Sequence, residues 1–161
     1  YIQDIDADGS LEVVSEINGF WNRVTVWNAD GSARHNAQFG PGERIPKRNV
    51  RGVALADLNG DGKQEILVVL KQGLLTALDH TCVPLWSRSL AGRPIGIAVQ
   101  ITEGNATPSL IVCSEDGKIT SHGPDGGLRQ TLDIKSSATM VTTTPCGTAV
   151  GTTDGRIFLL P

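Results

Sequence analysis

Asp57-Leu-Asn-Gly-Asp-Gly-Lys-Gln-Glu-Ile-Leu-Val-Val-Leu70 joins a loop crowded with side-chain oxygens directly to an unbroken apolar run. Its first nine residues have a counterpart upstream, Asp4-Ile-Asp-Ala-Asp-Gly-Ser-Leu-Glu12, which also leads into a hydrophobic stretch. In both copies oxygen-bearing side chains occupy positions 1, 3, 5 and 9, and glycine occupies position 6. Alternate residues of a tight loop turn their oxygens inward, and the glycine permits the bend that wraps a chain around a cation. Oxygen-only ligation suits a hard cation, Ca²⁺ above all. The spacing is not that of an EF-hand. Position 12, where that loop needs its bidentate glutamate, holds Ser15 in one copy and Val68 in the other, and a strand pattern follows instead of a helix.

Outward from these loops, alternation marks strands and Gly/Asp clusters mark turns, in units of roughly 40–50 residues. The fullest unit predicts strand A at Val50–Ala56, the acidic loop, strand B at Glu65–Leu70, strand C at Leu74–Leu78 and strand D at Pro84–Leu90. The first unit matches with B at Leu11–Ile17, C at Arg23–Trp27 and D at Ala33–Phe39. The third runs through Ile95–Ile101, Ser109–Ser114, Lys118–Ser121 and Leu128–Ile134; a fourth starts at Ala138 and stops after Arg156–Leu160. No window has a helical period. Four short antiparallel strands per unit predict an all-β chain of β-propeller blades, with boundaries near 1–49, 50–93, 94–136 and 137–161. About three and a half blades cannot close a ring of the usual 4–8. The expectation is a piece of a larger propeller, with two copies closing a ring of about seven blades as the alternative. Open edge strands at either end would favour self-association. The later units lose the acidic spacing and keep only Asp-Gly turns, at Glu115-Asp-Gly-Lys118 and Thr153-Asp-Gly-Arg156, which suggest type I′ hairpins.

Composition narrows the function classes. The 161 residues carry 14 basic and 17 acidic side chains, a net charge of −3, so no global field favours nucleic acid or an anionic membrane. No apolar run approaches the ~18 residues of a membrane span. Cys82, Cys113 and Cys146 fit no metal or disulfide framework. His35, His80 and His122 share no fixed spacing and are expected to face solvent. No nucleophile motif or phosphate loop occurs, and Trp27 and Trp86 are expected to pack blades. The B–C loop of the first unit is longer than its counterparts and carries Phe20 and Trp21; the D–A loop of the same unit carries Arg44, Lys47 and Arg48. Both loops belong to the rim opposite the acidic loops, so these five residues form a candidate recognition patch for an acidic sugar or a protein.

At "DIDADGSLEVV" and "DLNGDGKQEILVVL" the chain resembles the FG-GAP/VCBS family of propeller repeats, which includes the blades of integrin α-subunit heads. The last two units are more similar to calcium-free PQQ-like or WD-repeat blades. The resemblance implies two calcium sites, one held by Asp4, Asp6, Asp8, the Ser10 carbonyl and Glu12. The other is held by Asp57, Asn59, Asp61, the Lys63 carbonyl and Glu65. It further implies a calcium-stabilised, non-enzymatic binding or adhesion module of a secreted, periplasmic or cell-surface protein. Two alternatives stand beside it: part of a calcium-dependent propeller enzyme such as a rhamnogalacturonan-type lyase, and an intracellular scaffold.

Overall fold

A computed structural model describes residues 1–19, 21–40, 49–102, 105–144 and 147–160. The strands are β1 (Ile2–Gln3), β2 (Glu12–Ile17), β3 (Arg23–Trp27), β4 (Ala33–Gln38), β5 (Val50–Ala56), β6 (Glu65–Leu70), β7 (Leu74–Leu78) and β8 (Pro84–Ser89). They continue with β9 (Pro94–Thr102), β10 (Asn105–Ser114), β11 (Lys118–His122), β12 (Leu128–Asp133), β13 (Ala138–Thr144), β14 (Gly147–Thr152) and β15 (Ile157–Leu160). Each sheet is antiparallel and takes its strands in chain order: β1–β4, β5–β8, β9–β12, then the three-stranded β13–β15. These are four blades in succession, the last showing three strands among the described residues. Among the described residues there is no helix, and no helix long and apolar enough to cross a membrane.

The central blades show why the apolar runs are unbroken. All six residues of β6 are buried, because both faces of its sheet are covered. Ile66, Val68 and Leu70 meet Ile5, Val14, Val24 and Val26 of the first blade. Leu67 and Val69 point the other way, to Ile97, Leu110 and Val112 of the third. Period-two alternation therefore serves two interfaces at once, each fully buried side chain contributing about 1.5–3 kcal/mol. Ile111, Cys113, Ile119, Ala138 and Val150 repeat the pattern between the third and fourth blades.

The first strands of the second, third and fourth blades lie innermost. β5 packs beside β9, and β9 beside β13. The approach is close enough that a Cβ on Gly52 would sit 2.9 Å from the Ile97 nitrogen. The outer strands β4, β8 and β12 are largely exposed, which accounts for their polar sequences. Trp86 packs against the second inter-blade core, and the half-buried Trp27 donates its indole N–H to Ser15 Oγ at 2.8 Å. Where the succession of blades stops, apolar side chains face outward. Ile2, Val13 and Ile17 do so on the first blade, and Met140, Ile157 and Leu159 on the fourth.

Two expectations are corrected. The Asp-Gly turns are not type I′, because Asp116 and Asp154 keep negative φ and only Gly117 and Gly155 are left-handed. Gly73, Gly117 and Gly155 each donate N–H to the residue three back (Leu70, Ser114 and Thr152), forming a type I turn closed by one left-handed residue. The aspartate is there for its side chain: Ser114 Oγ donates to Asp116 Oδ1 at 2.7 Å, and Lys118 pairs with the same carboxylate at 3.1 Å. His122 is not exposed either. It is buried, with Nδ1 3.1 Å from the Gly126 carbonyl and Nε2 2.9 Å from Thr120 Oγ1. Desolvation holds its pKa below the ordinary histidine value. Cys82 and Cys113 are free, buried thiols that burial pushes up to about 11 and about 12; Cys146 lies outside the described residues.

Candidate metal loops

Both acidic loops connect the innermost strand of a blade to the next, at one rim, and both fold on a shared set of hydrogen bonds. The position-1 carboxylate is the hub. Asp4 accepts the N–H groups of Asp8 at 3.2 Å and Gly9 at 2.9 Å; Asp57 accepts those of Gly60 at 2.6 Å and Gly62 at 2.9 Å. Position 5 then accepts from position 7, Asp8 from Ser10 at 2.7 Å and Asp61 from Lys63 at 2.8 Å. Position 9 reaches back to position 2: Glu12 Oε2 accepts the Ile5 N–H at 3.1 Å and Glu65 Oε2 the Leu58 N–H at 2.7 Å. Two left-handed residues make each bend, Ala7 and Gly9 in the first loop, Gly60 and Gly62 in the second.

These bonds gather the oxygens. One carboxylate oxygen from each of Asp4, Asp6 and Asp8 lies within 4.8 Å of the others. Glu12 and Glu65 are almost fully buried beneath their loops. The electrostatics press for a cation. Burial raises the Glu65 pKa, and the charges of Asp61, Asp57 and Asp79 raise it further. Burial also acts to raise Asp57, but the N–H groups of Gly62, Gly60, Asn59 and Asp61 outweigh it and hold that carboxyl low. The Asp6 side chain is only 10 % exposed, and its Oδ1 is buried without a hydrogen-bond partner. An unpaired buried carboxylate oxygen is costly, and an all-oxygen set of this kind fits Ca²⁺ in charge and hardness. Asp4, Asp6, Asp8, Ser10 and Glu12 would hold the ion in one loop, and Asp57, Asn59, Asp61, Lys63 and Glu65 in the other.

Four features were missed in the sequence. Arg34, from the outer strand β4, reaches the first loop and pairs with Asp6 Oδ2 at 2.5 Å and Glu12 Oε1 at 3.4 Å. In the second loop the Asn59 amide does comparable work, donating to Asp61 Oδ2 at 3.2 Å and Glu65 Oε1 at 3.4 Å. Position 2 is structural: Ile5 is a fully buried member of the first inter-blade core, and Leu58 packs against the second. The loops also touch, since the Gln64 N–H donates to the Ile5 carbonyl at 2.8 Å. Beside the second loop an open cleft of about 630 Å³ is lined by Gln3, Asn59, Gln64, Ile101 and Thr107 among others. Of the candidate recognition patch, Trp21 is 47 % exposed, with the Arg23 guanidinium 5.4 Å from its ring centroid. Phe20, Arg44, Lys47 and Arg48 lie outside the described residues.

Successive four-stranded blades with strand A innermost define a β-propeller repeat protein, and comparison with known proteins agrees. The model of the FG-GAP-like repeat family matches residues 4–68, the stretch that holds both acidic loops. No curated protein matches the chain. Among solved structures, BBS1N in complex with ARL6DN superposes with a TM-score of 0.71 at 15% identity, over 100% of this chain and 54% of that one. The Neurospora crassa Pan2 WD40 domain gives 0.71 at 11% identity, covering 99% and 45%. Saccharomyces cerevisiae Sqt1 gives 0.72 at 13% identity, covering 97% and 44%. The chain thus spans about half the length of the solved propellers it matches.

Proposed function

We propose that the chain is a non-enzymatic propeller module whose two acidic loops take calcium and whose loop-bearing rims bind a protein or carbohydrate partner. The observation that carries the calcium reading is the nearly buried Asp6, set among Asp4 and Asp8 with one oxygen unpartnered. Calcium would act by mass action, stabilising the folded loops in proportion to its supply. Because the loops rest on residues of the inter-blade cores, the ion would stabilise blade packing as well as loop shape. Such dependence suits a secreted or cell-surface setting, where calcium is abundant. The protein class of partner is supported by the similar BBS1N propeller, solved in complex with ARL6DN, and by the exposed Trp21 on the rim opposite the acidic loops.

 Ile157 and Leu159, exposed on the last blade, and the open edge of β15 beside them would support self-association.

Thermal melting in excess calcium against excess chelator tests the metal reading. The melting temperature should fall on chelation. Asp61→Ala should lose about 1–3 kcal/mol in calcium, because an anionic ligand is removed from a loop whose other carboxylates still face one another. Identical melting curves with and without the ion would refute it.

A further inference from the structure

The two loops share a backbone but differ in how position 9 is neutralised. The first holds four carboxylates (Asp4, Asp6, Asp8 and Glu12) with Arg34 laid across two of them. The second holds three (Asp57, Asp61 and Glu65), with the neutral Asn59 at position 3 where the first has Asp6. Arg34 arrives by a β-bulge: Val26 pairs with His35 and Trp27 with Ala33, which leaves Arg34 unopposed and turned toward the rim. The second blade has a bulge at the same place, where Ala77 pairs with Trp86 and Leu78 with Pro84. The residue left over there is Leu85, which is exposed and brings no charge to its loop.

Asp6 and Arg34 therefore occur together in one blade, and Asn59 and Leu85 in the other. We propose that Arg34 is the resident cation of the first loop, neutralising Asp6 and Glu12 when metal is absent and competing with calcium for the same two carboxylates. The guanidinium contacts Asp6 Oδ2 and Glu12 Oε1, the position-3 and position-9 oxygens that an entering ion needs. Asp6 Oδ1 stays without a partner even so, so Arg34 neutralises the site only in part and leaves it receptive. The Arg34 side chain is 30% exposed, which gives it room to swing outward.

The inference rests on the calcium reading of the loops, and one experiment separates the two. Calcium is titrated calorimetrically into the whole chain and into Asp61→Ala, which cripples the second loop and isolates the first. Arg34→Leu, copying the second blade, and Arg34→Lys are then added in the Asp61→Ala background. Arg34→Leu should tighten calcium binding about three- to fivefold, the scale expected for removing one competing, partly exposed ion pair. Arg34→Lys, which keeps the charge, should tighten it much less. The metal-free melting temperature of Arg34→Leu should also fall, because four carboxylates lose their only partner of opposite charge among the described residues. Unchanged or weaker binding in Arg34→Leu would show that the arginine is only a structural strut and would overturn the proposal. One calcium bound by the whole chain and none by Asp61→Ala, with or without Arg34, would overturn it too. No calcium bound by any of these proteins would bring down the calcium reading itself, and the competition with it.

Discussion

Ala7 occupies a backbone conformation that the second loop gives to glycine. Its φ is +62°, against +81° for Gly60 at the same loop position. A Cβ in the left-handed region costs roughly 1–2 kcal/mol, although glycine returns part of that gain through the greater freedom of the unfolded chain. Ala7→Gly should therefore raise stability by about 0.5–1 kcal/mol in urea unfolding. His122 is a second residue whose environment makes a definite demand. Its pKa is lowered in the folded chain by burial. A depressed histidine contributes stability that is present above its unfolded pKa and is lost as pH falls through the folded value. Stability should thus decline below about pH 6.5, and the decline should be shallower in His122→Gln, as read from urea midpoints across pH 5–8. Neither residue stood out in the sequence. Ala7 is an ordinary residue in a loop where attention falls on oxygens, and a lone histidine in a polar segment gives no sign that the 123–127 turn will cover it.

At the scale of elements, the B–C turns carry the tightest constraint. Gly117 has φ +79°, and a Cβ there would lie 2.2 Å from the Ser136 carbonyl oxygen, in the connection to the next blade. Backbone cannot yield as a flexible side chain would. Gly117→Ala should cost about 2–4 kcal/mol, combining left-handed strain with overpacking. The matching change Gly155→Ala, where a Cβ meets nothing within 4 Å, should cost only the strain. Comparing the two unfolding midpoints measures the difference. The strands themselves were legible: β5, β6 and β7 span the residues expected for strands A, B and C of the second unit. Alternation, an acidic loop and a glycine turn are local signals, and each strand lies next to its neighbour in sequence. Arg34 was not legible, because it meets Asp6 only through a bulge in β4 and the stacking of β4 on β3 and β3 on β2. The type I′ reading of the Asp-Gly turns failed for a related reason. The dipeptide is compatible with two turns, and the hydroxyl of Ser114 or Thr152 selects the other one by capturing the aspartate side chain.

Across the whole molecule, burial is graded. Blades with a neighbour on each side present strands such as β6 that are buried throughout. The terminal blades leave apolar side chains exposed on their outward faces. That gradient follows from the stacking of units. The contact between the acidic loops was not expected, since nothing in either nine-residue motif marks Gln64 as a donor to its neighbour. Its consequence is thermodynamic reciprocity. The Ile5 carbonyl accepts the Gln64 N–H, the Ile5 N–H is held by Glu12, and Gln64 adjoins Glu65. A single residue, Ile5, thus joins position 9 of one motif to position 8 of the other through its own N–H and carbonyl. If filling one loop shifts that residue, the two occupancies cannot be independent, and whatever factor the first imposes on the second must be returned in equal measure. The pair would then respond to ligand concentration as one graded unit, with a binding curve steeper or shallower than two separate sites would give.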